Sequence, residues 1–169
     1  RMPESHAPRF VHLRVHTEYS ISDGIVQVDA AIARAAADGM PALGISDLAN
    51  LFGLVKFYTG ARGKGVKPIA GADVWVANPE APEDAYRLLL LVRNRQGYQQ
   101  LCELLTKAYL VEGRRDRAEI RREWFAEVGC DGLIALSGAH LGDVGEALLN
   151  GNFDLAGERA RAWEVIFPG

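Results

Sequence analysis

Apolar positions along the chain alternate between short strand-like runs and helical stripes. Arg9–Val15 reads as a first strand. Ser22, Asp23 and Gly24 then form a turn into a helix whose apolar positions Ile25, Val28, Ile32 and Ala35 recur at helical spacing. Gly39 and Pro41 should close that helix, the glycine by accepting left-handed backbone and the proline by refusing to continue it. Ala42–Ser46 is a second strand. A helix from about Asn50 is predicted to turn Leu51, Leu54, Val55 and Tyr58 to one face, with Gly60, Gly63 and Gly65 ending it. Lys67–Val76 reads as a third strand. Tyr86–Arg93 is a fourth, apolar almost throughout, as suits a strand buried on both faces. Gln96–Leu110 carries a helical stripe of Tyr98, Leu101, Leu105, Ala108 and Tyr109. After the charged stretch 113–123, Gly132–Ser137 is a fifth strand, and two helices near Asp143–Asn150 and Phe153–Phe167 follow.

Strand–helix alternation implies an α/β fold with a mainly parallel sheet. A complete eightfold barrel takes about 250 residues. A chain of 169 residues with five strands is therefore expected to supply part of a barrel. The composition, 49% hydrophobic and 24% charged, excludes disordered, collagen-like and disulfide-rich classes. The longest apolar run, Leu88–Val92, is strand-sized and far short of the roughly 18 residues of a membrane span. Residues 1–9 have no apolar signal core and read as a tail, with Arg1 ahead of Met2 pointing to a tag remnant. Cys102 and Cys130 have no zinc spacing and read as reduced thiols. A net charge of −3 argues against this chain alone gripping a nucleic-acid backbone, an affinity that comes from neutralising phosphates.

Four short segments could carry chemistry. In His12-Leu13-Arg14-Val15-His16, alternate residues of a strand share a face, so two imidazoles could hold Zn²⁺ or Mn²⁺. The plain reading is a polar strand end. Asp47 and Asp73 stand at or near strand ends, where barrel enzymes keep catalytic groups. Against that, Asp47 could cap the following helix, and Asp73 could pair with an arginine. His140 follows the fifth strand and is either a ligand or an ordinary surface histidine. Gly60–Gly65 lacks the spacing of a phosphate loop and reads as a helix end. The run from Arg114 to Glu123 reads as a solvated face, with a contact to DNA or a partner as the alternative.

Taken together the segments say more. FVHLRVHTEYSISDG, MPALGISDLANLFGLVKFY, GVKPIAGADVWV, LLLLVRNRQGYQQLCELLTKAY and GLIALSGAHLGDVG occur in this order. In that order the chain resembles, over 10–169, the N-terminal PHP domain of bacterial DNA polymerase III alpha subunits. The resemblance implies a seven-stranded βα barrel, TIM-barrel-like and related to metal-dependent phosphoesterases. This chain would supply its first five strands, truncated before the last ones. It also implies a degenerate metal site. Where active members carry HxHxH, this sequence has His12, Arg14 and His16; where they carry Asp-His, it has Asp47 and Leu48. Asp73 replaces a glutamate, Arg87 a histidine, and Ala139 the cysteine of Ser-Gly-Cys. Leucine and alanine cannot ligate, and arginine offers no lone pair. Arg14 and Arg87 are therefore expected to act as internal counter-ions for Asp47 and Asp73 in place of metal.

The expected role is a non-catalytic scaffold of a cytoplasmic bacterial replicative polymerase, docking its proofreading exonuclease (epsilon) subunit. No catalytic residue and no cofactor are expected within the domain, and no membrane contact. The parent enzyme would extend DNA with Mg²⁺ held elsewhere in the longer chain. The alternative is an active PHP phosphoesterase or 3′–5′ exonuclease. In that case His12, His16, Asp47, Asp73 and His140 would hold Zn²⁺ or Mn²⁺ and activate water. A standalone phosphatase of the histidinol-phosphate type is a third reading, disfavoured by NLFGLVKFY and NRQGYQQL between the motifs.

Overall fold

A computed structural model describes residues 10–110 and 117–168. The chain divides into two compact units, residues 1–71 and 72–169. The tail 1–9 and the first residues of the arginine-rich run, 114–116, lie outside the described residues.

The first unit contains α1 (Val28–Ala37), β1 (Ala42–Ile45), α2 (Leu54–Gly63) and the first half of β2 (Lys67–Val76). α1 ends as its glycine requires. Gly39 has φ +67°, its N–H donates to Ala36 O, and the N–H of Met40 reaches back to Ala35 O at 2.9 Å. β1 and β2 pair in parallel, with Ala42 opposite Lys67 and Ile45 opposite Ala70. Val28, Ile32, Leu43, Ile45, Phe57 and Ala61 form the core.

Three expectations fail in this unit. Residues 10–15 are not a strand. They run beside β1, with His12 O accepting from Gly44 N and Val15 O from Ser46 N, but the N–H of Val15 goes to the Ser46 hydroxyl instead of extending a ladder. Ile25 lies before the helix and is 94% exposed, so the helical stripe starts at Val28. α2 buries Phe57 and Ala61 and leaves Val55 and Tyr58 outside. The predicted face was displaced because the segment before Leu54 is turn, not helix.

The second unit contains the remainder of β2, then β3 (Tyr86–Val92), α3 (Arg95–Leu110), β4 (Glu119–Ile120), α4 (Glu123–Val128), β5 (Leu133–Ser137), α5 (Asp143–Leu149) and α6 (Phe153–Ile166). β3 is buried from Arg87 to Leu91, as its apolar run predicted. β5 pairs with β3 antiparallel, Leu88 opposite Ser137 and Val92 opposite Leu133, so the sheet is mixed where parallel order was expected. β4 was not foreseen. It pairs in parallel with β2, Trp75 opposite Glu119, and two residues carry too little pattern to read. α3 buries Leu101, Leu104, Leu105 and Ala108, while the expected stripe members Tyr98 and Tyr109 are exposed. Among the described residues no helix is long and apolar enough to cross a membrane, and both cysteines are free. The α/β class expected of a PHP-type, TIM-barrel-like fold is the one the chain adopts.

Candidate functional site

In the first unit the chemistry gathers on the segment before α1 and on the turn after β1. His12, Arg14 and His16 line one pocket with Arg34, Met40 and Leu43, so the three residues do come together although they form no strand. The ring Nδ1 of His16 is 2.9 Å from Asp23 Oδ2. Asp23 in turn accepts the Ser20 hydroxyl at 2.6 Å, and Ser20 Oγ accepts the N–H of Leu48 at 2.9 Å. A carboxylate holding one ring nitrogen fixes the orientation of the imidazole. Gly24 makes this loop possible: a Cβ there would lie 1.9 Å from Thr17 O.

Asp47 is almost wholly buried and does not cap α2. Its two oxygens accept the N–H of Thr17 at 2.6 Å and the Thr17 hydroxyl at 2.9 Å. Threonine, not arginine, satisfies this carboxylate, so the expected Arg14 counter-ion is not what Asp47 meets. Burial pushes the Asp47 carboxyl upward; the two Thr17 hydrogen bonds and the nearby His16 pull it back. Leu48 is half-buried and offers no donor atom.

In the second unit Asp73 pairs with Arg87, as the alternative reading of Asp73 expected. Nε meets Oδ1 at 3.3 Å and Nη2 meets Oδ2 at 3.1 Å, with the side chains 1% and 5% exposed. Such a fork-on-fork geometry suits arginine and a carboxylate. Trp75, two residues along β2 and so on the same face as Asp73, sits between two cations. The guanidinium of Arg87 is 4.2 Å from its ring centre and that of Arg117 is 4.9 Å away. Arg117 is itself held by Glu119 and by the carbonyls of Pro82 and Glu83. Sequence reasoning missed Thr17, Asp23, Trp75 and Arg117. The i, i+2 relation of Asp73 and Trp75 was the one signal available for them. Ala139 and His140 are exposed on a single 3-10 turn.

These side chains make a poor donor set for a dication. Asp73 is neutralised, both oxygens of Asp47 are engaged, and Leu48 and Ala139 have no lone pair. Among the described residues no three His, Cys, Asp or Glu side chains cluster as ligands.

The family described as PHP domain matches residues 12–169. The chain is 51% identical over 162 residues to a DNA polymerase III subunit alpha of Neisseria meningitidis, covering 95% of this chain and 14% of that protein. It is 46% identical over 161 residues to that of Escherichia coli K12, with the same coverages, 95% and 14%. It thus spans about 14% of the length of the curated relatives it matches. A solved amidohydrolase from Chromobacterium violaceum is similar at TM-score 0.46 and 22% identity, over 58% of this chain and 32% of its own, a likeness too slight to build on. With the family matched from the first histidine of the pocket to the final residue, the chain belongs to the PHP domain family.

Proposed function

We infer that this chain is part of a DNA polymerase III alpha subunit and serves there as a metal-free scaffold instead of a phosphoesterase. The observation that carries the reading is the Asp73–Arg87 pair. A carboxylate that would bind metal in an active site instead holds a buried, always-charged guanidinium. The cation occupies the electrostatic role of a metal but cannot polarise a phosphate ester or lower the pKa of a water. The parent protein extends DNA from deoxynucleoside triphosphates with Mg²⁺ bound elsewhere in the longer chain, in the bacterial cytoplasm. This domain docks the proofreading exonuclease subunit.

The test is metal content of the whole protein purified without chelator, with phosphoesterase activity measured on the same sample with and without Mn²⁺ or Zn²⁺. Primer extension and co-purification of the exonuclease are followed in parallel. Primer extension without PHP-borne metal or hydrolysis supports the scaffold. Two or more metals per domain with chelator-sensitive hydrolysis would restore the catalytic alternative through His12, His16, Asp47, Asp73 and His140.

A further inference from the structure

The chain carries a net charge of −3, yet its cations are unevenly spread. Between Leu48 and Ala72 there is no aspartate or glutamate, and Lys56, Arg62, Lys64 and Lys67 all fall in that interval. The segment runs through α2 to the start of β2. All four cations are exposed. Lys56 is bridged to Glu18 and Asp29, which neutralise it. Among the described residues, Arg62, Lys64 and Lys67 meet no carboxylate. Arg62 and Lys64 suit the end of a helix, whose dipole favours positive charge over the last turn. Lys67 lies beyond that turn, so helix stability does not account for it.

Helix stability does not account for the aromatic residues beside these cations either. Phe52 and Tyr58 stand 65% and 47% exposed, while Phe57 between them is buried in the core. Tyr58 and Arg62 are four residues apart and share one face of α2. Arg62 Nη1 donates to the Tyr58 hydroxyl at 3.0 Å, with the guanidinium 5.6 Å from the ring centre. Gly63 and Gly65 flank Lys64 and open onto free space, since a Cβ at either would meet nothing within 4 Å. A ligand can therefore approach the backbone there without displacing a side chain. Exposed rings at one end and unneutralised cations at the other thus follow one another along a single short helix.

We propose that the outer face of α2 binds a single strand of DNA, with Phe52 and Tyr58 stacking on unpaired bases and Arg62, Lys64 and Lys67 neutralising its phosphates. Sequence-tolerant binding of a single strand needs those two features together, flat rings for the bases and positive charge along the backbone. An acidic peptide answers the cations but offers the rings no planar partner. A duplex answers the cations too, but its base faces are already stacked. The ten residues of α2 span about 15 Å, room for about four nucleotides at roughly 3.4 Å each. The polymerase reading above supplies the strand as DNA, since a template is unpaired ahead of the primer end, and the proposal rests on it for that identity.

The test uses the full-length protein bound to a primed template whose single-stranded thymidine overhang carries iodouracil. Irradiation joins that base to aromatic side chains stacked on it, and the sites are read by peptide mass spectrometry. The expected result is crosslinking at Phe52 and Tyr58. The triple change Arg62→Ala, Lys64→Ala and Lys67→Ala should lower that yield at least about fivefold near physiological salt. Tyr58→Ala should lower the yield at Phe52 by a similar factor, and Tyr58→Trp should keep it, because stacking needs a ring and not a hydroxyl. All four positions are exposed, so these changes should leave folding and primer extension intact. Absence of crosslinks at Phe52 and Tyr58 overturns the proposal, as does a yield indifferent to the triple change. Crosslinks from iodouracil placed only in the duplex overturn it too. Equal displacement by polyglutamate at matched charge means that an acidic polypeptide takes this face, and overturns it as well. Failure of the polymerase reading registers separately, as absent primer extension by the same preparation.

Discussion

Arg87 grips Asp73 with two hydrogen bonds, 3.3 and 3.1 Å long, inside a part of β2 and β3 that solvent scarcely reaches. Bringing both charges out of water is expensive, and their geometry returns that cost only while both are present. Arg87→Ala should therefore destabilise the protein by about 3–5 kcal/mol, because it strands a buried carboxylate. The double change Arg87→Met with Asp73→Leu should recover most of the loss. Urea unfolding of the single and double variants measures both.

The raised Asp47 carboxyl fixes a sign. Its ordinary value is 3.8, and burial lifts it in the folded protein. Above 3.8 the native state then binds the proton more tightly than the unfolded chain, so this group's contribution to stability falls as pH rises through the window above 3.8 and levels off once both states are ionised. Asp47→Asn should remove that slope. The wild-type minus variant difference in unfolding free energy, followed from pH 4 upward, should decline and then flatten; a rise would contradict burial as the dominant cause.

Cys130 should be chemically silent in the native protein. Burial pushes its thiol up to about 11 from an ordinary 9.0, and its Sγ–H donates to Phe125 O at 3.3 Å. The thiolate is the reactive form, so its population near neutral pH falls about a hundredfold. Alkylation at pH 8 followed by peptide mapping should find Cys102 modified and Cys130 intact, with Cys130 appearing only after unfolding.

Gly24→Ala should damage the loop before α1. The added methyl would meet the Thr17 carbonyl at 1.9 Å, a backbone atom with no freedom to step aside. A cost of about 1–3 kcal/mol or more is expected. The histidine proton resonances of His16 should shift as well, because Asp23 beside Gly24 holds its ring.

Restoring donors should restore metal affinity. His12, His16 and Asp47 are retained, and Asp23 already orients the His16 ring. Arg14→His with Leu48→His replaces a cation and an inert side chain with two neutral ligands. Isothermal titration with Zn²⁺ should give no heat of binding for the wild type and a measurable one for the double variant.

Much of the fold was legible because its elements are long and periodic. β2 begins and ends where its apolar run does, and β3 reads as buried because four leucines and a valine leave no polar face. The failures share a cause in tertiary contacts that override local pattern. Residues 10–15 have strand composition, yet the Ser46 hydroxyl takes the Val15 N–H that a ladder would have used. The turn through 53 shifted the buried face of α2 to Phe57 and Ala61. At the site, the sequence showed which donor atoms were missing, since that depends only on residue type. It did not show which partner each carboxylate takes. Thr17 reaches Asp47 across 30 positions and Arg87 reaches Asp73 across 14, separations with no periodic signature.

The cations over Trp75 have an optical consequence that extends to the other indoles. The chain has three tryptophans, and each faces a cation: Trp75 Arg87 and Arg117, Trp124 Lys107 and Arg121, Trp163 Arg122. All three lie beyond residue 71. Indole emission from this domain therefore comes from residues 72–169, tuned by the positive charges over the rings. Residues 1–71 contain no tryptophan, so their own unfolding has to be followed through tyrosines such as Tyr19 and Tyr58.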